Sequence, residues 1–115
     1  MWVLGRWGAG ALGRWGAGAL GKTMSSLFTF ILEFRGGTYV SQYRGRSPRQ
    51  ALRTWGKQEH ERLIGQWRPQ VTDALFAGMA SETLVAMDGA IETYVTSTPV
   101  IDDLAWLYVI RTQEI

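Results

Sequence analysis

Residues 27–34 read LFTFILEF, Arg35-Gly36-Gly37 follows, and residues 38–43 read TYVSQY; no other feature of the chain constrains its fold as much. Phe28, Phe30, Leu32 and Phe34 fall on one side of an alternating pattern, and Leu27, Thr29, Ile31 and Glu33 fall on the other. A period of two is that of a strand with one buried face. Two adjacent glycines supply the positive φ angles that a tight turn demands, so the segment predicts a β-hairpin closed on Gly36-Gly37. Closure there pairs Phe34 with Tyr39, Leu32 with Ser41 and Phe30 with Tyr43. It also makes Gly37 the position where a β-branched residue would strain the backbone. The aromatic face is the one expected to be buried, each cross-strand pair contributing about 0.2–1 kcal/mol.

Beyond the hairpin, Ser47-Pro48-Arg49-Gln50 has the form of a helix start, with Ser as N-cap, Pro in the first turn and Gln three residues on. The helix is expected over residues 48–58, with Ala51, Leu52 and Trp55 inward and Arg49, Arg53 and Lys57 outward. Gly56 weakens its continuation, so either one bent helix or two short ones should precede Pro69. Val71, Ala74 and Leu75 suggest a further helical turn. Residues 78–90 fit either a strand and turn or a loop. Residues 91–96 read as a strand broken by Thr98-Pro99, and residues 104–112 as a last strand. That strand is apolar on both faces, the mark of a central position. The expected fold class is α+β: an antiparallel sheet in the order strand-strand-helix(es)-strand-strand, with helices on one face.

The segment SLFTFILEFRGGTYVSQ, the helix SPRQALRTW and the ending DLAWLYVIRTQE together resemble a group of small uncharacterised cyanobacterial proteins. That resemblance implies this fold and a cyanobacterial-type origin, and no mechanism. The hairpin followed by Pro48-Arg49-Gln50-Ala51 also resembles, more weakly, HicB-like antitoxins, which implies a nucleic-acid-binding regulator. Here the strand segment between hairpin and helix and a DNA-binding tail are both missing.

Residues 1–23 are a different kind of sequence, in which GRWGAGAL occurs twice in succession, at 5–12 and 13–20. Arg6, Arg14 and Lys22 interrupt any signal-peptide apolar region, and the stretch falls short of the roughly 20 apolar residues of a membrane span. The expectation is a leader, disordered or not native, ahead of one small domain over residues 24–115. The leader holds +3 of a chain whose formal net charge is +2, so the remainder sums to −1. The basic pI of about 9.3 is therefore no argument for nucleic acid.

The chain has no cysteine and one histidine, which excludes disulfides, thiolate chemistry and paired-histidine metal sites. His60 lies between Glu59 and Glu61, and neighbours on a helix do not face one way, so it reads as a surface histidine. Asp102-Asp103 and Asp88-Gly89 read as turns. No catalytic residue, cofactor or metal is expected, and the chain is not read as an enzyme.

Charge is unevenly placed. Residues 35–68 hold eight basic and two acidic residues, while residues 69–115 hold one basic and seven acidic. Arg46, Arg49, Arg53 and Lys57 follow helical spacing and, with Arg44, are the candidate contacts to a partner or to phosphate. Tyr43, Trp67, Phe76 and Trp106 are the candidate interface residues. The expected function is a non-catalytic cytoplasmic protein-interaction module that self-associates as a homodimer and has no membrane attachment. An RNA- or DNA-binding regulator using the arginine-rich helix face is the alternative.

Overall fold

A computed structural model describes residues 25–114, so the expectation for residues 1–23 lies outside the described residues. Strand β1 (Ser26–Phe34) and strand β2 (Gly37–Gly45) form the expected hairpin. Its register differs from the expected one. Phe34 faces Gly37, Leu32 faces Tyr39, Phe30 faces Ser41 and Phe28 faces Tyr43. The turn is Arg35-Gly36, with φ of 51° and 78°, and not Gly36-Gly37. Two positive φ angles in a two-residue loop match the right-handed twist of the strands. Because Arg35 accepts the left-handed conformation, the loop closes one residue early and every pairing moves by two. A shift of two preserves faces, so the aromatic side remains the buried one. Gly37 is thus an ordinary strand position, and a Cβ there would meet the Tyr39 ring, its hydroxyl 2.6 Å away.

Helix α1 (Pro48–Arg62) starts where Ser47 and Pro48 predict. Ser47 Oγ accepts from the Gln50 N–H at 3.1 Å, while Gln50 Oε1 accepts from the Arg46 N–H. The helix runs through Gly56 and ends at Leu63, beyond which Gly65 takes a φ of +90°. Helix α2 (Pro69–Ser81) is a full element and not a single turn. Val71, Leu75, Phe76 and Met79 form its buried stripe, at the spacing of a helix face.

Residues 82–92 contain a two-residue strand, β3 (Val85–Ala86), and a turn. Strands β4 (Thr93–Val100) and β5 (Asp103–Thr112) complete a five-stranded antiparallel sheet in the order β2-β1-β5-β4-β3. As its apolar faces predict, β5 is central. Pro99 does not break β4: it pairs with Leu104, and β3 is too short to lie against β4 there. A proline survives in a strand on such an open side.

The β4–β5 turn carries strain. Ile101, 60% exposed, has a φ of +58°, a conformation that a β-branched residue resists. Ile101→Gly should therefore raise stability by about 1 kcal/mol, read as a higher urea midpoint at unchanged slope. A lowered midpoint would mean that the isoleucine makes a contact outweighing the strain.

Both helices pack on the same face of the sheet. Trp55 stacks on Phe30 with centroids 5.8 Å apart and meets Phe76 at 5.1 Å. Trp67, on the connection between the helices, sits edge-on to Phe34 and Tyr39. Among the described residues no helix is long and apolar enough to cross a membrane.

Candidate functional site

The five basic residues do not form one surface. Arg44 lies on the β2 face away from the helices and pairs with Glu114. Arg46 precedes α1, its N–H tied to Gln50. Arg49 donates to the carbonyls of Ala80 and Glu82 at 2.9 and 2.7 Å, satisfying the C-terminal end of α2. Arg53 and Lys57 make no ion pair among the described residues, nor do the guanidinium groups of Arg46 and Arg68; Arg53 and Lys57 are exposed, one turn apart on α1. Part of the charge asymmetry closes within the molecule, through Arg44–Glu114 and through Arg35–Asp103 at 3.8 Å.

The Glu59-His60-Glu61 segment separates by face. Glu61 is exposed, and His60 lies 3.1 Å from Asp73 with its ring edge-on to Phe76. Glu59 is 1% exposed. It accepts a hydrogen bond from the Tyr43 hydroxyl and a forked one from Arg62, whose terminal nitrogen is 2.7 Å away. The Glu59 hydrogen bond raises the Arg62 pKa, against the opposing effect of burial. This triad pins the last turn of α1 to β2. Only the tertiary approach of Tyr43 to the helix creates it, and the sequence carries no local sign of it. Among the described residues there is no group of three or more His, Asp or Glu placed to hold a metal ion.

The surface that sequence reasoning missed is the other face of the sheet. The helices cover one side, and no described element covers the second. On it, Val40, Ile31, Tyr108, Val95 and Val85 are successive cross-strand partners, an apolar row through all five strands. Val40 and Val85 are 38% and 58% exposed, and nearby Leu104 and Trp106 are 44% and 41% exposed. Polar residues border the row. On one side Gln42 donates to Thr29, whose hydroxyl meets that of Thr112. On the other, Glu33 lies opposite Trp106, short of the Arg35–Asp103 pair. An apolar centre with a polar rim is the anatomy of an interface. The legible signal was the alternation of β5, apolar on both faces beside helices sufficient for one.

Of the expected interface residues, Trp106 alone lies on this face. Phe76 is corrected to a core position, 7% exposed between Trp55 and His60. Tyr43 and Trp67 are half-buried on the helix side, Tyr43 edge-on to Phe30 and bonded to Glu59. No family model matches the chain, and no curated protein or solved structure matches it either.

Proposed function

We propose that this protein is a non-catalytic interaction module of the cytoplasm that self-associates by packing the open faces of two sheets against each other. The supporting observation is the apolar row across all five strands, with Trp106 beside it. Three interstrand spacings across four strands of about 30 Å, with the two-residue β3 beyond them, give a plane of about 450 Å² before side-chain relief is counted. A standard interface takes about 800 Å² from each partner, so the face is of the right order for a dimer. A two-fold axis makes such a contact self-complementary and closed. Val40 also sits on the edge strand β2, where an uncovered apolar residue invites pairing.

The variant carrying both Val40→Lys and Trp106→Lys places two cations on the face while leaving the core intact. Light scattering should report a mass of about twice 12.9 kDa for the full chain and a single mass for the variant, with unchanged circular dichroism. Lys57→Glu, on the opposite side of the molecule, should leave the dimer intact. A double variant that stays dimeric would falsify the open face as the contact. The nucleic-acid alternative has Arg53 and Lys57 behind it, and it requires salt-dependent binding that their replacement weakens.

A further inference from the structure

The helices present a second surface, on the side of the molecule away from the open sheet. Between α1 and α2 lies a groove of about 810 Å³, within the range that holds one small-molecule ligand. Its floor is apolar: Ala80 and the space over Gly56 are open, and the edges of Phe76 and Leu52 beneath them are 7% and 4% exposed.

The wall of the groove is unusual at one point. Gly56 lies in the interior of α1, where glycine lowers helix stability relative to alanine. It does not admit a close neighbour, because a Cβ there would meet nothing within 4 Å. Its effect is to leave space in the groove.

The rim has a sign. Arg53 and Lys57 line it with no ion-pair partner among the described residues, whereas Arg49 is already held by the end of α2 and His60 by Asp73. Glu61 stands at the other end. An apolar floor beside two unspent cations suits a molecule with an apolar body and one negative group. The cationic residues 1–23 are disfavoured there by charge. A polyanionic backbone would leave the floor unused.

We propose that the α1–α2 groove binds an anionic amphiphile of small-molecule size, its alkyl or aromatic body over Gly56 against Phe76 and Ala80 and its carboxylate at Arg53 and Lys57. The site is independent of self-association, which uses the opposite face.

Dodecanoate below its micellar concentration is a suitable probe, titrated into the full chain by calorimetry and by amide chemical shifts. One saturable site is expected, with shifts confined to α1 and α2. Gly56→Leu fills the groove and should weaken binding by at least about tenfold without lowering the melting temperature. Arg53→Gln with Lys57→Gln changes only exposed side chains, so folding is not in question; it should weaken binding several-fold and remove the salt dependence. The variant with lysine at residues 40 and 106 should bind as the wild type does, whatever its oligomeric state. Absence of saturation by about 1 mM would overturn the proposal. So would undiminished binding by the Gly56 variant or by the double glutamine variant.

Discussion

Trp55→Ala should cost about 3–5 kcal/mol, a large part of the roughly 5–15 kcal/mol that holds a small domain folded. Trp55 is 1% exposed and joins the layers, stacked on Phe30 of β1 and against Phe76 of α2. Removing the indole takes away its burial and leaves a void that neighbours fill only in part, since protein interiors are close-packed. Trp55→Phe keeps most of the area and should cost less than half as much. Urea denaturation followed by far-ultraviolet circular dichroism measures both. An alanine variant within about 1 kcal/mol of wild type would mean that the helices do not pack on the sheet as described.

Arg62→Leu should cost about 2–4 kcal/mol. The substitution strands the Glu59 carboxylate, which is 1% exposed, with Tyr43 as its remaining partner. Breaking a fully buried pair from one side costs about 3–5 kcal/mol. The lower figure applies here because Arg62 itself is 32% exposed and water can reach part of the gap. Adding Glu59→Leu to Arg62→Leu removes the isolated charge and should recover much of the loss. Equal stability of the single and double variants would show that no carboxylate is buried at this site. A double-mutant cycle at pH 7 gives the coupling.

The parts of the fold legible in the sequence are those set by local chemistry. Alternation located β1 and β2, the Ser47-Pro48 start located α1, and the two-sided apolar pattern placed β5 at the centre. Their fine geometry depended on choices the local pattern leaves open. Arg35 takes a positive φ that glycine takes more readily, and the hairpin register moved by two with it. Val71, Ala74 and Leu75 suggest only a turn, whereas α2 runs on to Ser81 because Phe76 and Met79 extend its buried stripe. Phe76, a candidate interface residue by its sequence, belongs to that stripe and is 7% exposed.

The candidate surfaces were harder still, because each is made by tertiary placement. The arginine stripe is continuous in helical projection, yet Arg49 is spent on the end of α2 and Arg44 lies on the far face. Glu59 and Glu61 are near-identical in sequence context, and only the approach of β2 makes one buried and leaves the other in water. The apolar row from Val40 to Val85 draws one residue from each of five strands, so it exists only once the strand order is known.

The distance between two copies tests face-to-face association most directly. The chain has no cysteine, so Ser97→Cys on the open face and Lys57→Cys on the helix face each give one nitroxide per protomer. Two sheets about 10 Å apart, each backed by a helix layer about 10 Å further out, fix the expected order. Electron–electron dipolar spectroscopy should give a separation below about 30 Å for labels at residue 97 and about 40 Å or more for labels at residue 57. The reverse order, or no dipolar coupling at residue 97, would contradict the account.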